Sequence, residues 1–235
     1  MKVILSPENQ FILNKIYTAA RTCYSSDDQE YIFNQSLSMP KEEMLKTITH
    51  CLNSGHSSVV EHQQLSLYIS GVSRALTHQL VRKRIASYSQ MSQRYCKLKP
   101  EEQLEYVIPF TIQKSDTTLK IYDDLMNTAK ETYQKLVDAG VPAEDARYVL
   151  PNATATNITV SLNIRSLINL AEERLCVCSQ WEIRNLVRHM CNLVIEKLPF
   201  LEPYLQPKCA RLGYCPESEK RTCGLRKLRK DVIGS

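Results

Sequence analysis

Residues 63–70, Gln-Gln-Leu-Ser-Leu-Tyr-Ile-Ser, alternate polar and apolar side chains, and residues 158–164, Ile-Thr-Val-Ser-Leu-Asn-Ile, do so with β-branched ones. A period of two sends successive side chains to opposite faces, so the first stretch reads as a half-buried strand and the second as a strand. Each then changes period. Ser73 caps a helix carrying Leu76, Leu80 and Val81, with Gln79 and Arg82 near its C-terminal end, and a further helix runs from about Ser166. Strands that pass directly into helices point to a mixed α+β chain.

The remaining patterns agree. Met1–Pro7 reads as a strand, too short for a signal peptide, and 8–24 as a helix with Phe11, Ile12, Ile16 and Ala19 at helical spacing. Pro40-Lys41-Glu42-Glu43 opens a helix that stops at Ser54-Gly55. Residues 115–139 form a long amphipathic helix ending at Gly140, Pro142 at the first helical position starts a short one over 143–149, and Trp181 to Leu198 is another. With 235 residues, 43% hydrophobic and 23% charged, the chain is long enough for one substantial core. Residues 1–206 read as one domain and 207–235 as a basic, Cys-containing tail. No apolar run approaches the roughly 18 residues of a spanning helix, and a cytoplasmic location is expected.

Nine cysteines without a secretion signal imply thiols, not a disulfide framework. Cys51, Cys176 and Cys191 fall in apolar helical patterns and are expected in the core. Cys209, Cys215 and Cys223 are spaced C-x5-C-x7-C, without the CxxC pairs of a zinc signature, so no metal site is assigned. The net charge of +5 lies entirely in the tail, where eight Lys/Arg between 207 and 231 face Glu217, Glu219 and Asp231.

The densest chemistry lies in residues 79–95, which hold Arg82, Lys83, Arg84 and Arg94 with Ser87, Ser89 and Ser92 and no acid before Glu101. Arginine forks and serine hydroxyls suit a phosphate. Three further groups stand out. Gly55-His56-Ser57-Ser58-Val59-Val60-Glu61-His62 sets two histidines and a carboxylate in a tight loop. Ala146-Arg147-Tyr148-Val149-Leu150-Pro151 puts a cation near a helix end. Asn163-Ile164-Arg165-Ser166-Leu167-Ile168-Asn169 occupies a strand-to-helix junction, where unpaired backbone N–H groups can meet a ligand, and Arg174 and Gln180-Trp181-Glu182-Ile183-Arg184 follow. Arg174 is about 140° round a helix from Asn169, so those two need not share a face.

These four segments, in this order, resemble the flavin-dependent thymidylate synthases. That family's signature is Arg-His-Arg, seven residues, then Ser; here Arg82, Lys83, Arg84 and Ser92 match it, with Lys in place of His. The others resemble the family's Gly-His-x-Ser/Thr-x-x-Glu-His, Ala-Arg-x-Val-Leu-Pro and Asn-x-Arg-Ser-Leu-x-Asn…Arg…Gln-Trp-Glu-Ile patterns. The resemblance implies an antiparallel-type sheet flanked by helices. It also implies reductive methylation of deoxyuridine monophosphate (dUMP) to thymidine monophosphate, with methylenetetrahydrofolate as carbon donor and NADPH-reduced FAD as hydride donor. By it, Gln79, Leu80, Val81, Arg82, Gln90, Met91, Ser92, Gln93, Arg94, Arg147 and Arg174 would bind dUMP. His56, Ser58, Glu61, Arg82, Lys83, Arg84, Gln90, Asn163, Arg165 and Asn169 would hold FAD. Arg174 would be catalytic, favouring the ionised uracil, and active sites would be shared within a homotetramer. Lys83 replaces a flat ring by a flexible point charge, which alters how this position meets flavin or folate. A second departure is Cys178, where some relatives carry His.

Ser92 has no His or carboxylate in its segment to activate it as a nucleophile, so it reads as a phosphate or sugar ligand. The alternative is a nucleic-acid-binding module built on Arg82–Arg94 and the basic tail. A charge-neutral core and few aromatics for base stacking speak against it, and neither nucleic acid nor membrane is expected as a partner. A flavin reductase without methyl transfer would give no reason for Arg94, Arg147 and Arg174 together.

Overall fold

A computed structural model describes residues 1–7, 10–99 and 101–233. The strands are β1 (Lys2–Leu5), β2 (Gln64–Ser73), β3 (Ser87–Gln90) and β4 (Ala155–Asn163). They form one antiparallel sheet in the order β1-β2-β4-β3. The helices are α1 (Ile12–Thr22), α2 (Gln29–Ser38), α3 (Lys41–Asn53), α4 (Arg74–Leu80), α5 (Phe110–Gln113), α6 (Asp116–Asp138), α7 (Ala143–Ala146), α8 (Ile164–Arg174), α9 (Trp181–Lys197), α10 (Lys208–Leu212) and α11 (Lys230–Ile233). Among the described residues no helix is long and apolar enough to cross a membrane.

The two alternating stretches are the two central strands. Leu65, Leu67 and Ile69 of β2 and Ile158, Val160 and Leu162 of β4 are buried, with more exposed residues between them. Each strand ends in the cap of the next helix. Ser73 Oγ accepts from the Leu76 N–H at 3.0 Å, and Asn163 Oδ1 accepts from the Ser166 N–H at 2.8 Å. The caps satisfy N–H groups that a helix start leaves without partners. After α3 and α6 the chain turns through Gly55 (φ 84°) and Gly140 (φ 88°), a left-handed backbone that disfavours a Cβ.

By its contacts the chain divides into two compact units. The first comprises Met1–Lys2, Tyr68–Arg82 and Tyr88–Thr159, and its buried side chains include Leu76, Leu80, Met126 and Tyr133. The second comprises Val3–Leu67, Lys83–Ser87 and Val160–Ser235. There α1 packs on α2 and α3, and α8 on α9, with Ile16, Ile48, Leu167, Leu186 and Val187 buried.

Several boundaries depart from the sequence reading. The first helix begins at Ile12, because Phe11 takes a left-handed φ of 61° that no helix continues; Glu8 and Asn9 of the expected 8–24 span lie outside the described residues. Pro142 occupies the cap position of α7, not its first turn, and residues 147–149 tighten into a 3-10 turn. The helix expected from Ser166 starts at Ile164, with Asn163 as cap. Several elements carried no recognised signal, namely α2, β3, α5, α10 and α11. In α2, Asp28 Oδ1 accepts from the Glu30 N–H at 2.8 Å, and β3 lies inside the cationic segment. Cys51 and Cys191 are buried as expected; Cys176 is not in a helix but in the turn after α8, and is only half-buried.

These packing assignments carry a stability expectation. Leu186→Ala, which removes a fully buried side chain of α9, should cost about 2–5 kcal/mol. Asn163→Ala should cost about 1 kcal/mol through loss of the cap. Urea midpoints of the two variants check both values, and an unchanged Leu186→Ala midpoint would contradict α9 as a core helix.

Candidate active site

In the first unit the expected nucleotide residues gather around α4, β3 and the turn that follows it. Met91 N–H donates to the Asn157 carbonyl at 2.9 Å, which ties the segment after β3 to β4. Gln90 turns inward: its Nε2 donates to Thr77 Oγ1 at 3.2 Å and Thr156 Oγ1 at 3.4 Å, and both threonines are buried. Tyr88 Oη donates to the Leu80 carbonyl at 3.0 Å, and burial pushes its phenol up to about 12. The chain then turns at Ser92, whose carbonyl accepts from Tyr95 N–H at 3.2 Å and Cys96 N–H at 2.9 Å. Ser92 Oγ accepts from the Arg94 N–H at 3.3 Å. Met91 and Gln93 reach a cavity of about 440 Å³ that Leu104, Tyr133, Leu150 and Thr154 also line.

Arg94 does not stand alone. Its guanidinium meets Glu144 Oε2 through Nε at 2.9 Å and Nη2 at 2.8 Å, and it lies 5.7 Å from the Tyr95 ring centre. Arg147 Nε donates to the Glu144 carbonyl at 3.0 Å, so one α7 residue holds both expected arginines. Beside them is a residue the sequence reading passed over. Arg74 Nη1 is buried without a hydrogen-bond partner, and burial, then the neighbouring Arg147 cation, lower its pKa. Two guanidiniums close enough to repel, one with an unused buried N–H, form an anion-seeking pair. The overlooked sequence signal is position: Arg74 opens α4, where a cation opposes the helix dipole. Gln79 is half-buried at the end of α4, Leu80 is buried, and Val81 and Arg82 are exposed just beyond.

In the second unit the fold joins two of the motifs. Arg165 Nη1 donates to Ser57 Oγ, which connects the His56–His62 loop to the start of α8. His56, Ser58 and Glu61 are exposed on this 3-10 turn. Arg165 and Asn169 are four residues apart on α8 and share a face. Lys83 Nζ pairs with Glu173 at 3.0 Å, and Lys83, Asn169 and Glu173 line a common cavity. Arg84 is exposed. Arg174 closes α8, and its Nε is buried without a partner, as is Arg184 Nε. Ser57 and Glu173 are further partners that spacing alone did not reveal, since each acts through a residue far away in sequence.

Comparison with known proteins gives one answer. Residues 9–200 match the family model described as thymidylate synthase complementing protein. The chain is 40% identical over 230 residues to the flavin-dependent thymidylate synthase of Nitratidesulfovibrio vulgaris, covering 94% of this chain and 93% of that protein. It is 39% identical to the protein of the same name from Clostridium tetani, covering 89% and 87%, and 40% identical to that of Geobacter sulfurreducens, covering 88% and 86%. The matched span includes all four motif segments with their order preserved. This chain therefore belongs to the flavin-dependent thymidylate synthase family.

Proposed function

We propose that the chain methylates dUMP to thymidine monophosphate, taking the carbon from methylenetetrahydrofolate and the hydride from FAD reduced by NADPH. The observation that carries the reading is Arg174, whose buried Nε has no hydrogen-bond partner within the fold. A buried donor left unpaired costs about 1–3 kcal/mol, and an anionic ring oxygen is the partner that recovers it.

The residues act as follows. Uracil C5 attacks carbon only after the ring gains electron density, so a fixed cation beside the ring lowers the barrier. Arg174 supplies that charge and, being permanently protonated, orients and polarises instead of removing a proton. Arg94, Arg147 and Arg74 offer guanidinium donors to the phosphate, and the turn at Ser92 adds a hydroxyl. Gln79, Val81 and Arg82 offer side chains at and just beyond the end of α4, whereas Leu80, whose side chain is buried, offers only its backbone. Arg82, Lys83, Arg84, His56, Ser58, Asn163, Arg165 and Asn169 offer cations or hydrogen-bonding groups that suit an anionic dinucleotide, and Glu61 adds a carboxylate that accepts from N–H or hydroxyl groups of such a ligand. The join between Arg165 and Ser57 supports a common role for two of these segments. Asn163 gives Oδ1 to its own helix, which leaves its amide N–H groups as donors to a ligand. Gln90 is held by Thr77 and Thr156 and so stiffens the loop before Ser92. Bound FAD supplies the hydride that completes the methyl group.

Residues 1–206 form the synthase part of this reading, in keeping with the family match over 9–200, and 207–235 is an appended tail. A cytoplasmic homotetramer with shared sites belongs to the same proposal. Exposed Phe110, Ile121, Leu125 and Tyr148 in the first unit support it, since large apolar side chains seek cover.

Four outcomes test the proposal. The purified protein should carry a flavin absorbance spectrum that shifts when dUMP is added; a colourless protein that takes up no FAD would refute it. Arg174→Ala should lower kcat about 10²–10³-fold while flavin binding persists. Ser92→Ala should weaken dUMP binding but keep turnover, whereas complete loss of turnover with dUMP still bound would make Ser92 a nucleophile. Glu144→Gln, which releases Arg94, should tighten dUMP binding about 2- to 5-fold, a modest gain because the pair is half exposed. An unchanged Kd, measured by calorimetry, would mean that Glu144 does not compete for Arg94.

A further inference from the structure

Five of the nine cysteines converge on one place. Cys176 and Cys178, in the turn after α8, and Cys209, Cys215 and Cys223, in the tail, line a single cavity of about 370 Å³ in the second unit. All five are free thiols. Cys178 lies near Cys176 and Cys223 in this cavity. Cys209 feels the charges of Cys176, Cys215 and Cys223, so these four surround a common space. Thiols gathered about one cavity can share a cation as thiolates.

The tail itself needs such a centre. Among the described residues beyond Gln206, Cys215 is the one buried hydrophobic side chain, while Leu225, Val232 and Ile233 are exposed. A short segment without apolar burial cannot offset the entropy of ordering its backbone and is held by a staple. A cysteine joins two separate stretches of the tail: Cys215 N–H donates to the Lys227 carbonyl at 2.7 Å, and Arg229 N–H donates to the Cys215 carbonyl at 3.2 Å. Two contacts tie the tail to the α8 region: Arg211 pairs with Glu172 at 2.7 Å, and Cys178 Sγ donates to the Arg221 carbonyl at 3.5 Å.

We propose that Cys176, Cys209, Cys215 and Cys223 ligate a thiophilic metal centre that fastens the tail onto the end of α8, with Cys178 beside it. Four thiolates suit zinc or an iron–sulfur cluster. Among the described residues no three His, Cys, Asp or Glu side chains are grouped to hold a metal ion in the side-chain positions shown. Ligation would bring the Sγ atoms together by rotation about χ1, and a cavity of about 370 Å³ has room for a cluster as well as a single ion. Lys83, Lys208 and Arg221 line the same cavity with Glu172, Glu173 and Glu217, so its charged lining is balanced, and Arg226 is close enough to act on Cys209. An odd number of thiols about one cavity also suits ligation better than pairing into disulfides. Lys83 and Asn169, assigned above to the flavin, line the same cavity, so the centre would lie beside the proposed flavin site.

The test uses the full chain purified without oxygen. Zinc, iron and acid-labile sulfide are measured per chain, with electron paramagnetic resonance after reduction. About one zinc without sulfide identifies the single ion, and about two or four irons with matching sulfide identify the cluster; either supports the proposal. The double variant Cys209→Ser/Cys215→Ser should lose the metal, while Cys96→Ser, outside the cavity, should keep it. Should the double variant not fold, alkylation of the unaltered protein decides: the four ligand thiols should be protected until a chelator is added. Metal-free protein, metal retained by a folded double variant, alkylation indifferent to chelator, or disulfides among these cysteines would each overturn it.

Discussion

The bond on which the second unit's chemistry depends is the cap from Asn163 Oδ1 to the Ser166 N–H. It ends β4 and starts α8 within one residue, and the Ile164 N–H, donating to the Gln63 carbonyl at 3.1 Å, fixes the start of α8 against the residue that precedes β2. From that origin the helical repeat dictates the rest. Arg165 reaches the Ser57 loop, Asn169 and Glu173 share the Lys83 cavity, and Arg174 ends the helix with one buried nitrogen unspent. A shift of one residue in the cap would rotate all four side chains by about 100°.

Electrostatics separates the charged residues by role. Lys83 with Glu173 and Arg94 with Glu144 are pairs with at least one half-exposed partner, weak enough for a ligand to displace. Arg74 beside Arg147, and Arg174 at the end of α8, are instead guanidiniums with buried nitrogens that the fold does not satisfy. The fold gains nothing in stability from that arrangement, which agrees with the anion-binding role proposed for these residues. The basic tail differs again. Three of its cysteines line one cavity with Cys176 and Cys178, and among its described residues Cys215 is the one buried hydrophobic side chain.

Much of this was legible in the amino-acid sequence. Period-two alternation over 63–70 and 158–164 located the central strands, Ser73 marked a cap, and the four motif segments identified the family, because local backbone preferences and short-range spacing are written directly into neighbouring residues. Lys83 was visible as a departure from the family pattern, though its acidic partner was not. The errors were local too: Phe11 takes a left-handed φ that its side chain does not advertise, and Cys176 follows an apolar run that ends in a turn.

Tertiary structure decided every pairing across long stretches of chain. Nothing near Arg165 in sequence points to Ser57, nothing near Arg94 points to Glu144, and nothing in C-x5-C-x7-C points to Cys176 more than thirty residues upstream. Such contacts depend on how helices and strands pack, which is set by summed burial over the whole core and not by any local pattern. The sequence by itself thus determined the elements, the family and the kinds of side chain available for chemistry. Only the fold determined which of them meet, which buried nitrogens remain unpaired, and where the thiols gather.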